Sequence, residues 1–241
     1  LWEGKIGETY PKPNYKGAIH YLNLAARFPH IPAMYRLNEI YMSGQPGGEG
    51  YEGVSKDVLK ACSYIKMAAD NGDKDMAMKY SLMARNGDMI KQDNKVADEY
   101  LKKAADLKLL EAQLIVAKKL MELKNPKCLI YFEAAADNGD VESMKIAGRL
   151  NNEKTELSPK TDLRKAKKYL SLAADKDESA KPDYDEFMKT YPARLAQLQK
   201  EEEEERKRQE EERKRIEEEN KLKMKEEKER MEREEAERLR K

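Results

Sequence analysis

Small, aromatic, apolar, small and small residues recur at offsets 0, 3, 4, 7 and 8 at five places along the chain. The copies are Ala18-x-x-Tyr21-Leu22-x-x-Ala25-Ala26, Ala61-x-x-Tyr64-Ile65-x-x-Ala68-Ala69, Ala97-x-x-Tyr100-Leu101-x-x-Ala104-Ala105, Cys128-x-x-Tyr131-Phe132-x-x-Ala135-Ala136 and Ala166-x-x-Tyr169-Leu170-x-x-Ala173-Ala174. Those offsets trace one stripe of a 3.6-residue helix, so the pattern predicts five copies of one amphipathic helix. The copies start 43, 36, 31 and 38 residues apart, a period that marks a stacked repeat array.

A second helix fits between successive copies. Counted from the first Ala of each Ala-Ala pair, offset 8 holds Ala33, Met76, Ala112 and Ser143. Offset 12 holds Leu37, Tyr80, Val116 and Ala147, and offset 13 holds Asn38, Ser81, Ala117 and Gly148. A column of small residues beside a column of larger apolar ones lets two helices approach closely and fill the space between them. Each unit is therefore expected to be an antiparallel pair, helix A followed by the anchor helix B. The punctuation agrees. Asn71-Gly72-Asp73 and Asn138-Gly139-Asp140 place Gly where a helix ends left-handed and Asp where the next is capped, and Asn86-Gly87-Asp88 closes a helix A in the same way. Asn14, Asp57, Asp93 and Asp162 stand four residues before their anchor Ala as caps of helix B, and Asn125-Pro126 takes that role in the remaining copy.

These residues set the expected organisation. Leu1-Trp2-Glu3-Gly4 matches Tyr41-x-x-Gly44 at the end of a helix A, so residues 1–13 read as a loop closing a truncated upstream unit. Repeats are expected over 14–178 and a capping segment over 179–192, with Tyr184, Phe187 and Met188 on its apolar side. Pro192 is expected to open the last part, a long charged helix over 193–241 without Gly or Pro after it. The fold class expected is all-α: an α-solenoid of antiparallel helix pairs followed by one long charged helix.

The stretch Ala33-x-Tyr35-Arg36-Leu37-x-x-Ile40-Tyr41-x-x-Gly44, continued by Gly53-Val54-x-Lys56-Asp57-x-x-Lys60-Ala61-x-x-Tyr64-x-x-x-Ala68-Ala69-x-x-Gly72, resembles the Sel1-like repeat, a cousin of the tetratricopeptide repeat. The likeness is specific over 33–73, good over 75–106, degenerate over 111–175 and half present over 14–30. The chain departs from it where Asn38, Ser81 and Ala117 replace the helix A glycine and where the Gly-x-Gly-Val loop is lost after Leu123 and Leu150. The resemblance implies a right-handed α-solenoid that works as a protein-binding scaffold, as in endoplasmic-reticulum quality control and signalling adaptors. It also implies that helix A lines the concave side. The positions there that packing does not use are Tyr35, Glu39 and Met42, then Met78, Leu82 and Arg85, then Leu114, Lys118 and Met121, then Lys145, Arg149 and Asn152. That row runs from apolar to basic and is expected to take a segment with apolar anchors at one end and acids at the other.

Composition narrows the function further. Charged residues make up 39% of the chain and their excess is local to the end, while the net charge of +1 gives no global steering toward nucleic acid or anionic membrane. Lys118, Lys119, Lys145, Arg149, Arg164, Lys165, Lys167 and Lys168 nevertheless make the last two units basic, which keeps a nucleic-acid-binding solenoid as the weakest alternative. His20, His30, Cys62 and Cys128 have no metal or catalytic spacing. Gly47-Gly48-Glu49-Gly50 lacks the Lys-Ser/Thr of a phosphate loop. No enzyme activity, catalytic residue, metal, cofactor, small-molecule substrate or membrane span is expected.

In the last segment, Glu stands four residues ahead of Lys or Arg at 203/207, 204/208, 210/214, 211/215 and 217/221, among others, which is the favoured order. Ile216, Leu222, Met224, Met231 and Leu239 are the apolar positions with which such an arm could dock. The function expected is a non-catalytic scaffold whose partners are other proteins of a large assembly, for which a cytoskeletal or axonemal microtubule lattice is the leading picture. The expected place is the cytoplasm, at the cytoskeleton or a flagellar axoneme. The alternative is an adaptor for client proteins.

Overall fold

A computed structural model describes residues 14–238, and among them every regular element is helical. The segment 1–13 and Leu239 lie outside the described residues. Helix α1 (Tyr15–Arg27) is the first anchor helix. Four A/B pairs follow: α2 (Ile31–Ser43) with α3 (Val58–Asp70), α4 (Lys74–Asn86) with α5 (Asn94–Asp106), α6 (Leu110–Glu122) with α7 (Cys128–Asp137), and α8 (Val141–Asn152) with α9 (Leu163–Lys176). Each helix packs on its neighbour in the chain, giving the antiparallel pairs that the column pattern predicts and the right-handed solenoid that the resemblance implies.

Local chemistry fixes the helix ends. Side-chain oxygens of Asn14, Asp57, Asp93 and Asp162 accept first-turn amides at the start of α1, α3, α5 and α9, and Asp73 and Asp140 do so for α4 and α8. The fifth anchor helix opens differently. Asn125 Oδ1 accepts from Lys127 N, tight three-residue turns come next, and α7 itself begins only at Cys128. Gly72 and Gly139 close α3 and α7 at φ of 92° and 97°. Lys108 holds the equivalent place after α5 at φ 65°, a conformation that strains an L side chain by about 1–2 kcal/mol. The glycine-rich insertion after α2 folds on itself as a small exposed hairpin, Gln45 pairing with Val54 and Gly48 with Tyr51.

The offset-13 column explains how pairs pack without its usual glycine. Asn38 Nδ2 donates to Ala61 O at 3.0 Å, and Ser81 Oγ donates to Ala97 O at 2.7 Å. Both acceptors are the carbonyl of the anchor Ala on the paired helix B, so a short polar side chain ties the two helices where glycine would simply let them touch. In the fourth unit glycine returns, and a Cβ on Gly148 would lie 2.7 Å from Leu170 Cγ.

After the turn Glu178–Ala180, a single helix α10 spans Lys181–Arg238. No break separates a cap from an arm at Pro192, contrary to the boundary read from sequence. Pro182 sits in the first turn, where its missing N–H is harmless. Pro192 lies inside the helix, leaving the Met188 carbonyl without its helical donor. Strong helix formers on the far side, Ala193 to Gln197, carry the helix onward. The rings of Phe187 and Tyr191, 5.1 Å apart, lie in the turn before the proline.

Candidate protein-binding surface

The units are stitched together through helix B. Tyr100 donates to Asp70 Oδ1 at 2.8 Å, Tyr131 donates to Asp106 Oδ1 at 3.0 Å, and Tyr64 donates to Asn23 Oδ1 at 2.6 Å. Each of these anchor tyrosines therefore reaches back to the preceding helix B. In two of these junctions the acceptor is an Asp at the last residue of that helix, where a negative charge meets the negative end of the helix dipole. Lysines offset the repulsion: Lys66 and Lys103 reach Asp70, Lys102 reaches Asp106, and Lys168 reaches Asp137 at the next junction. Four of the five anchor tyrosines are buried as the pattern requires; Tyr21 is 59% exposed, because no preceding helix B stands before α1 among the described residues.

Burial raises the Asp70 carboxyl, but hydrogen bonds from Lys103, Lys66 and Tyr100 outweigh it and bring it down to about 2. A carboxyl depressed by folding stabilises fully above its unfolded value, 3.8, and loses that contribution as pH falls toward 2. The stability gap between the native chain and Asp70→Asn, followed by circular dichroism, should therefore hold above pH ~4 and shrink on acidification toward ~2. A gap independent of pH would show that the carboxylate does not carry the junction.

The expected binding residues fall into three columns of helix A. The offset-14 column, Glu39, Leu82, Lys118 and Arg149, is exposed throughout. The offset-17 column, Met42, Arg85, Met121 and Asn152, is half-buried, and Arg85 is tied to Asp98 at 2.8 Å. The offset-10 column, Tyr35, Met78, Leu114 and Lys145, turns toward the next unit. Tyr35 donates to Asp73, the cap of α4, and Lys145 to Asp177, the cap of the turn after α9. Burial and the Asp73 carboxylate push the Tyr35 phenol up to about 12. Met78, expected on the open face, is instead buried in the core, since an apolar side chain in this inter-unit column has no reason to remain in water. Ile115 was missed: it is 40% exposed at offset 11, one helical step from Lys118 on the same side, and close in exposure to Leu82 at 45%.

The Sel1 repeat model matches residues 2–27, 31–73, 75–109, 124–140 and 156–178, more than half of the chain. The chain belongs to the Sel1 repeat family. Comparison with curated protein sequences gives no match. Among solved structures, a Sel1 repeat protein from Oxalobacter formigenes is 23% identical with a TM-score of 0.38, covering 69% of this chain and 66% of its own. A protective antigen of uropathogenic Escherichia coli with an SLR fold is 22% identical with a TM-score of 0.40 over 66% of this chain, which spans 33% of its length. Sel1 repeat proteins are generally non-catalytic interaction modules, and the fold is that of a protein-interaction scaffold or adaptor. No described helix is long and apolar enough to cross a membrane.

The Sel1 units also show what became of the basic cluster. Lys119 pairs with Asp98, Lys145 with Asp177, Lys165 with Glu133 and Lys168 with Asp137, all at 2.6–2.7 Å. Arg149, Arg164 and Lys167 are engaged as well. Lys118 is the member without an ion pair among the described residues, so a phosphate backbone would have to compete with carboxylates already in place. The histidines have local roles: His30 Nδ1 accepts from Ala33 N to cap α2, and the His20 ring stands edge-on to Tyr21. Cys62 and Cys128 are buried and free, with burial raising both thiols. Among the described residues no group of His, Cys, Asp and Glu is arranged for a metal.

Along α10 the lysines and arginines choose different partners. Lys207, Lys214 and Lys221 take Glu203, Glu210 and Glu217 four residues back, as expected. Arg208 and Arg215 instead take Glu205 and Glu212, three back. That choice leaves Glu204 and Glu211, the partners expected for them, without an ion pair among the described residues. The apolar docking positions do not form one seam. Ile216, Leu222, Met224 and Met231 are all exposed, but Leu222 and Met224, two residues apart, lie on opposite faces of the helix.

Proposed function

We propose that the repeats hold a segment of a partner protein along the outer face of helix A, with α10 engaging a further component of the same assembly. The observation that carries this reading is the open row around Leu82, Ile115 and Lys118. Two apolar side chains remain exposed near a lysine that makes no ion pair among the described residues, whereas its basic neighbours Lys119, Lys145, Lys165 and Lys168 are all paired. Such a row suits a partner side chain that is apolar with an acid close by, and the apolar contact supplies most of the affinity. Tyr35, Glu39, Met42, Arg85, Leu114, Met121, Lys145, Arg149 and Asn152 then form the rim.

The finer picture is a structural part of a large assembly. At 58 residues, α10 is roughly 87 Å long at 1.5 Å per residue, enough to bridge neighbouring subunits of a filament such as an axonemal lattice, though its residues do not select that lattice over another. An adaptor for client proteins uses the same helix A face and is the alternative. Leu82→Asp combined with Lys118→Glu changes two exposed side chains, so the fold should be retained. Affinity purification with the full chain should then lose its main partner, with binding down at least about tenfold, as removal of 1.4 kcal/mol requires. Undiminished recovery of the same partner would overturn the assignment of this face.

A further inference from the structure

The ion-pair choices along α10 leave two opposite faces of the helix unmatched. On one, Arg206 and Arg213 make no ion pair among the described residues and stand seven residues apart, with Asn220 and Met224 continuing their line. A shallow depression lined by Arg206, Gln209, Glu210 and Arg213 marks the start of this face. On the other, Glu204, Glu211 and Glu218 are likewise without ion pairs among the described residues, and Leu222 continues theirs. Residues two apart lie about 200° around a helix and residues seven apart lie within about 20° of one line. The two rows therefore run in parallel along opposite sides.

Their members correspond one to one at a constant offset. Arg206 matches Glu204, Arg213 matches Glu211, Asn220 matches Glu218, and Met224 matches Leu222, each two residues on. We infer that α10 is a self-complementary arm: the arginine face of one copy receives the glutamate face of a second copy lying parallel to it, staggered by about 3 Å. The fit joins two arginine–carboxylate pairs, an amide–carboxylate hydrogen bond and an apolar contact. Reversing the second copy would set Arg206 against Glu218 and Arg213 against Glu211, but would leave Met224 and Leu222 without apolar partners, so the parallel arrangement is the one the sequence matches throughout. Because the contact uses different faces on the two copies, it does not close as a dimer, and a third copy adds as the second did. Exposed pairs of this kind are individually weak and salt-sensitive, so association should be graded and dependent on concentration. The inference is independent of the helix A reading above, since it uses α10 alone.

The test is sedimentation velocity of the full chain at low ionic strength over a wide concentration range. The native chain should show a weight-average sedimentation coefficient that climbs without a plateau at two copies, and near 1 M salt, where the screening length is about 3 Å, the rise should vanish. Arg206→Glu with Arg213→Glu makes both faces acidic, and Glu204→Arg with Glu211→Arg and Glu218→Arg makes both basic. Each variant alone should remain monomeric, and an equimolar mixture should associate again, the first offering its intact glutamate face and the second its intact arginine face. Lys74→Glu with Lys91→Glu, the same charge change placed on the repeats, should associate as the native chain does. A native chain that stays monomeric, a plateau at a dimer, or either α10 variant associating alone would overturn the proposal, and circular dichroism shows whether each variant keeps its helix.

Discussion

Tyr100→Ala is expected to destabilise the repeats by about 3–5 kcal/mol, in the range of other large buried aromatics. The ring is 4% exposed and packs edge-on to Tyr80 of its own helix A at 4.6 Å, while its hydroxyl holds Asp70 of the preceding helix B. Truncation therefore empties the space inside one unit and cuts the tie between two. Tyr100→Phe separates these effects. It keeps the ring and removes only the donor to a carboxylate, with a loss of about 1.5–3 kcal/mol at most, less here because Asp70 is 40% exposed and keeps two lysines. Tyr21→Ala, at the exposed copy of the same motif, should change almost nothing. Urea unfolding followed by circular dichroism reads all three, and an unchanged midpoint for Tyr100→Ala would refute the packing described for the anchor column.

Gly148→Ala is expected to lower stability by about 1–3 kcal/mol, the usual range for overpacking. The sign matters more than the size. Replacing glycine by alanine inside a helix ordinarily stabilises by about 0.5–1 kcal/mol, so only a close neighbour can reverse it. Leu170 is that neighbour. Its Cγ and Cδ2 lie 2.7 and 2.8 Å from where the new Cβ would sit, and its backbone nitrogen lies at 3.2 Å. The side chain can turn away, but the backbone of α9 cannot move without shifting the whole pair. A rise in melting temperature would mean that α8 and α9 are not held as closely as described.

What was legible in the sequence is what repeats with a short period or sits beside what it acts on. The anchor stripe, the caps at Asp57 and Asp93 and the left-handed glycines at 72 and 139 all depend on residues within two helical turns. The misplacements depend on longer range. Met78 looks like Tyr35 and Leu114 by register, yet its surroundings are set by the next unit, which the periodicity of one helix does not describe. The basic cluster looked open because the carboxylates that neutralise Lys145, Lys165 and Lys168 lie 31 or 32 residues away. Pro192 looked like a boundary because a proline weakens any helix, and whether it ends one depends on the helix propensity of the residues after it. In α10, three- and four-residue spacings are both present for Arg208 and Arg215, and spacing alone does not say which glutamate each one takes.

The tie between anchor tyrosine and terminal aspartate has a consequence for how such a chain can change length. Tyr131 needs an Asp at the end of whichever helix B precedes it, and Asp70 and Asp106 occupy the same place in their respective units. Excision of residues 71–106 would join Asp70 to Leu107 and set Tyr131 against Asp70, restoring the junction with one pair fewer. The array is in this sense interchangeable at its helix B ties, and gain or loss of a unit during evolution would change the number of helix A faces ahead of α10 while keeping the tyrosine–aspartate bond, although Tyr35 would exchange Asp73 for Leu109.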